Sequence, residues 1–127
     1  MGRSIKVLLA DDNARLRDSL ANFLGLWGGL EIVGTASNGR EAVERCAELH
    51  PDVVLMDLRM PDGDGITATR TIREQYPDIQ VIALTSGFLV EAEEAVAAGA
   101  SEYIFKTASV YTIIDAIKQH APKSPDG

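Results

Sequence analysis

Two hydrophobic patterns alternate along this chain. Short stretches dense in apolar residues recur at Ile5–Ala10, Leu30–Ala36, 53–58, 80–84 and Glu102–Phe105. Each has strand length and lies beside turn formers, so each predicts a buried β-strand. Between them the apolar positions fall three or four apart, the helical period. Leu16, Leu20, Phe23 and Leu24 follow Asn13 in this way until Gly25, Gly28 and Gly29 interrupt them. Asn38 with Glu41 three residues on has the form of a capping box, with Asn in place of Ser or Thr. It opens a helix with Ala42, Val43, Cys46 and Ala47 as its apolar stripe, and Pro51 lies beyond its end. A third helix starts near Gly65, turns Ile66, Thr69 and Ile72 inward, and stops before Pro77. A short Ala-rich helix runs to Gly99, read as its C-terminal cap. Ser109 caps the last helix, with Ile113, Ala116 and Ile117 on its inner face.

Strand and helix thus alternate five times, which predicts an α/β fold with a parallel sheet covered on both faces. Among doubly wound orders, the flavodoxin-like five-stranded 2-1-3-4-5 arrangement with five helices fits the count. Residues 1–120 are expected to form one domain. Residues 121–127 hold two prolines and no periodicity, so they read as a tail or the start of an interdomain linker.

Composition narrows the possibilities. The 127 residues are 46% hydrophobic and 24% charged, enough for a core without disulfide or metal staples. The net charge of −7 and pI near 4.7 argue against direct binding of nucleic acid or an anionic membrane by this stretch. Cys46 is the sole cysteine, so no disulfide framework exists and a reducing compartment is expected. On the apolar side of its helix it reads as a small core hydrophobe. Neither a signal peptide nor a membrane-length apolar run is apparent, and the expected location is the cytoplasm.

The chemistry lies where the strands end. The first ends on Asp11 and Asp12, the third on Asp57, the fourth on Thr85 and the fifth on Lys106. In the predicted order the winding reverses between strands one and three, so these residues converge on the carboxyl edge at the switch point. Two carboxylates roughly 5 Å apart repel by about 3–4 kcal/mol at an effective dielectric of 20. Three stay together only around a cation, or with one proton retained, and an all-oxygen set with open positions suits Mg²⁺. A metal, an ammonium and a hydroxyl about one carboxylate are the parts that stabilise a transferring phosphoryl group. Asp57 is the candidate nucleophile, giving an acyl phosphate.

The sequence resembles the receiver domain of two-component response regulators over about residues 5–120. The resemblance rests on Asp11-Asp12, Asp57 followed by Met60-Pro61 and Gly65, Thr85, Gly99-Ala100 and Lys106. It implies that Asp57 accepts phosphate from the phosphohistidine of a sensor histidine kinase. It implies a Mg²⁺ ion on Asp12, Asp57 and the backbone carbonyl of Arg59, with Asp11 acting through water. Thr85 and Lys106 would bind the phosphoryl oxygens. Tyr103 would rotate as Thr85 moves, altering the face built by helix four, strand five and helix five. Homodimerisation on phosphorylation is compatible with such a switch. Arg59 and Gly87 occupy positions that tune dephosphorylation in the family. The resemblance implies a signalling module, not an enzyme, with at most slow self-dephosphorylation.

Some positions depart from the family pattern. Gly63 replaces a common apolar residue, which implies a more mobile loop. The spacing from Thr85 to Lys106 looks one residue short, and Thr107 stands where proline is frequent. Gly63-Asp64-Gly65 begins a formal dinucleotide fingerprint, but too far past the strand. Asp62-Gly63-Asp64 imitates the start of a calcium loop whose fifth ligand position is Ile66. His50 and His120 lack nearby zinc ligands. Trp27 is expected to pack under the first loop.

Two functional classes remain at this point. One is the phosphoaccepting signalling module. The other is a small-molecule phosphohydrolase with an aspartate nucleophile, which usually needs a second acid where Arg59 stands. Glu31-Ile32-Val33-Gly34 and Lys106-Thr107-Ala108-Ser109 further resemble receivers joined to a C-terminal DNA-binding domain of the NarL/LuxR class. Transcription regulation is the expected output, and a free-standing receiver is the rival.

Overall fold

A computed structural model describes residues 4–60 and 65–122. Its elements follow the chain as β1 Ile5–Ala10, α1 Ala14–Gly25, β2 Leu30–Ala36, α2 Gly39–Leu49 and β3 Val53–Asp57. They continue as α3 Gly65–Gln75, β4 Gln80–Thr85, α4 Leu89–Ala97, β5 Glu102–Phe105 and α5 Val110–His120. All strand pairings are parallel, in the order β2-β1-β3-β4-β5.

Strand periodicity divides the core into two layers. Val7 and Leu9 of β1, Val53 and Leu55 of β3, and Ile82 and Leu84 of β4 face α1 and α5. Their neighbours Leu8, Ala10, Val54, Met56, Val81 and Ala83 face α2, α3 and α4. Strands buried on both faces need unbroken apolar runs, which is why β1, β3 and β4 read so clearly in the sequence. The edge strand β2 is half-buried along most of its length.

The helix starts follow from capping. The side chains of Asn13, Asn38 and Ser109 accept the N–H groups of Leu16, Glu41 and Tyr111. Gly99, at φ +120°, follows α4. The described peptide bonds are all trans, Lys106–Thr107 included.

Small corrections to the sequence reading concern edges and faces. β3 closes at Asp57, although the Leu58 N–H still reaches the Leu84 carbonyl, and β4 runs on to Thr85. Ala47 is exposed. α2 instead rests on Ala42 and Cys46, with Val43 and Leu49 half-buried beside them. Cys46 is buried, and burial pushes its thiol up to about 12, so it stays protonated at neutral pH. Trp27 is half-buried against the α1/α5 layer, its ring edge-on to Tyr111 at 5.5 Å. Among the described residues, no helix is long and apolar enough to cross a membrane.

Candidate functional site

The carboxyl ends of β1 and β3 lie side by side because Ala10 pairs with Met56. Asp11, Asp12 and Asp57 therefore leave the sheet together, with one carboxylate oxygen from each within 4.8 Å of the others. Asp11 and Asp57 are buried, and Asp12 is exposed at the rim. Lys106, just beyond β5, reaches back to them. Its Nζ lies 3.3 Å from Asp11 Oδ2 and 3.1 Å from Asp57 Oδ1. Burial opposes its charge, but the hydrogen bonds and charges of Asp57 and Asp11 outweigh it and hold the ammonium above the ordinary lysine value.

Asp57 is divided between its two oxygens. Oδ1 accepts the Arg59 N–H at 3.2 Å and faces Lys106. Oδ2 is buried and has no partner among the described residues, and neither has the buried Thr85 Oγ1. Burial raises Asp57 from 3.8 to about 6, against the lowering effect of the Lys106 and Arg59 hydrogen bonds. Orphaned buried oxygens are uncommon in folded proteins and ask for a ligand. An all-oxygen donor set of three carboxylates, one of them exposed, fits a hard divalent cation.

Other arrangements were not legible in the sequence. The Arg17 Nη1 donates to the Asp11 carbonyl at 2.9 Å, and the Asn13 N–H donates to Asp11 Oδ1 at 2.9 Å, so α1 orients the first acid. The Arg59 guanidinium pairs with Glu91 of α4 and stacks on Phe88. No local pattern announces a partner 32 residues away. Tyr103 is half-buried against the α2/α3/α4 layer and edge-on to Phe105 at 5.7 Å. Gly87 has φ +118° and open space around it. Residues 61–64, which carry the Gly63 departure and the calcium-like triplet, lie outside the described residues.

The raised value of Asp57 has a measurable consequence. Between pH 4 and 6 the folded chain keeps a proton that the unfolded chain has lost, so stability falls as pH rises through that window. In metal-free buffer at pH 8, Asp57→Asn is expected to be more stable than wild type by on the order of 2–3 kcal/mol. The difference should fade toward pH 4 in urea titrations. An equal difference at both pH values would remove the buried charge as its cause.

A doubly wound parallel sheet with three acids and a lysine at its switch point defines a class, and comparison with known proteins agrees. The chain belongs to the response regulator receiver domain family, whose model matches residues 7–118. It is thus a signalling domain. Among named relatives, it is 41% identical over 118 residues to the response regulator protein VraR of Staphylococcus aureus, covering 91% of this chain and 56% of that protein. It therefore spans a little over half the length of that relative. A DNA-binding response regulator of the LuxR family from Staphylococcus aureus superposes with a TM-score of 0.85 at 28% identity, over 91% of this chain and 97% of that one. A chain of the CheX–CheY–BeF3–Mg²⁺ complex from Borrelia burgdorferi superposes at 0.84 with 26% identity, over 92% and 89%.

Proposed function

We propose that this receiver takes a phosphoryl group onto Asp57 from the phosphohistidine of a sensor histidine kinase. One observation carries the reading: Asp57 Oδ2 is buried and unpartnered while Oδ1 is held by Lys106 and the Arg59 N–H. Oδ2 is the free nucleophile, its carboxylate fixed by bonds to the other oxygen. Its lone pair forms the O–P bond as the P–N bond breaks, leaving that electron pair on the kinase imidazole. The Lys106 ammonium and the unpartnered Thr85 hydroxyl would donate to the phosphoryl oxygens.

Asp12, Asp57 and the Arg59 carbonyl would hold Mg²⁺, with Asp11 acting through water. A relative solved with BeF3 and Mg²⁺ supports this choice of ion. When bound, the ion neutralises charge on the phosphoryl oxygens and keeps the acids ionised together.

Phosphorylation adds about −1.5 to −2 charge at one spot. Thr85 and Tyr103 would relay it to the face of α4, β5 and α5. The exposed Val90 and Phe105 there give a phosphorylation-induced homodimer apolar surface. The output we infer is transcription control through a DNA-binding domain after residue 127, supported by the LuxR-family likeness and by the length of VraR. A coding sequence that stops at Gly127 would overturn that output.

The phosphoacceptor is tested by incubation with Mg²⁺ and acetyl phosphate, followed by intact-protein mass spectrometry. Wild type is expected to gain one phosphoryl group and Asp57→Asn none. Equal gain in both would place the acceptor elsewhere.

A further inference from the structure

Two residues past Asp57 the chain exposes Arg59, and its guanidinium turns toward α4. Nε lies 3.2 and 3.1 Å from the two carboxylate oxygens of Glu91, and Nη2 lies 2.8 Å from Oε1. The flat face of the same group sits 4.2 Å above the ring of Phe88. Glu91 is in the first turn of α4, and Phe88 is its N-cap residue. Leu89 and Val90 of that turn are exposed. Phe88 supplies no side-chain cap and is 52% exposed, and Gly87 before it takes φ +118°. Arg59 and Glu91 also wall a cavity of about 540 Å³ that opens beside Asp12, with Glu94 one turn further along α4.

A guanidinium matches one carboxylate or one phosphate in its planar fork. Glu91 already fills that fork while Asp57 is unmodified. A phosphoryl group two residues away would be a more highly charged acceptor for the same donors, and would repel Glu91. We propose that Glu91, with Phe88 beneath the pair, is a positioning residue that latches Arg59 and the first turn of α4 in the unmodified state. Phosphoryl gain at Asp57 releases the latch. This deepens the phosphoacceptor reading above and rests on it.

Glu91→Gln keeps the shape and weakens the latch. With Mg²⁺ and acetyl phosphate it is expected to gain phosphoryl roughly two- to fivefold faster than wild type, the range an exposed bidentate ion pair supports. The same change made in an Arg59→Ala background should alter nothing, because the latch is already open. Glu94→Gln removes an equal charge from the same cavity and should leave the wild-type rate. In the unmodified protein, ¹⁵N spectra should show the Arg59 Nε–H and the amides of residues 88–91 shifting on Glu91→Gln. Equal acceleration by Glu94→Gln, or persistence of the Glu91→Gln effect without Arg59, would overturn the latch. So would a normal wild-type rate with Glu91→Gln unchanged. A wild-type protein that gains no phosphoryl on Asp57 would overturn the underlying reading, and the latch with it.

Discussion

Lys106→Met is expected to slow phosphoryl gain at Asp57 by about two to three orders of magnitude, the usual cost of losing one preorganised charge stabiliser. Methionine keeps most of the side-chain volume, so the change removes charge more than packing. The ammonium now lies within 3.3 Å of two buried carboxylates, 49 and 95 residues away in the chain. Without it, Asp57 and Asp11 face each other in a poorly solvated site, and metal-free thermal stability should drop. Mg²⁺ should restore much of that stability but little of the rate. An ion on the carboxylates relieves their repulsion, yet it does not supply the donor on the Lys106 side. Phosphoryl gain measured against time, with melting curves in EDTA and in Mg²⁺, separates the two effects. A rate within a few-fold of wild type would show that Lys106 is only a structural counter-ion.

Gly65→Ala should destabilise the fold by about 2–3 kcal/mol, an overpacking cost against atoms that cannot move aside. A Cβ there would collide with the carbonyl oxygen of Asp57 and lie 2.9 Å from Leu58 Cα. Both are backbone at the end of β3. α3 is drawn this close because the Gly65 N–H donates to the Leu58 carbonyl at 3.2 Å. The Thr69 hydroxyl donates to the Gly65 carbonyl at 2.6 Å, tying down the first turn. Making room would push the phosphoacceptor loop outward, so phosphoryl gain should slow as well. The urea midpoint is expected to fall by roughly 1–2 M. Gly25→Ala is the comparison. Nothing lies within 4 Å of a Cβ there, so that substitution should be neutral or mildly stabilising. Equal midpoints for the two variants would show that α3 yields more easily than its contacts suggest.

Much of this architecture was legible because its signals are local. The apolar runs of β1, β3 and β4 are dictated by burial on both faces, and alternation with helical stripes leaves few ways to connect them. Asn38 and Ser109 announced their helices because a cap uses a side chain within three residues of the bond it makes. Faces were read less well. Ala47 sits beside Cys46 in the sequence and belongs to the apolar stripe on periodicity alone, yet α2 rests on a narrower line and leaves it in water. A methyl group is too small to decide which way a helix rolls. At the site, the convergence of Asp11, Asp12, Asp57 and Lys106 followed from strand order. Which oxygen of Asp57 is held and which is free did not.

By itself, then, the order of residues determined five strands, five helices, their parallel stacking and the edge on which the acids emerge. Those follow from hydrophobic period and chain connectivity, which act over a few residues at a time. Tertiary structure alone decided that Lys106 bridges Asp11 and Asp57, that Thr85 Oγ1 is left without a partner, and that Arg59 turns to Glu91. Hydrogen bonds and ion pairs act over about 3 Å. Their partners here stand tens of residues apart, so they exist only once the sheet has brought the strand ends together.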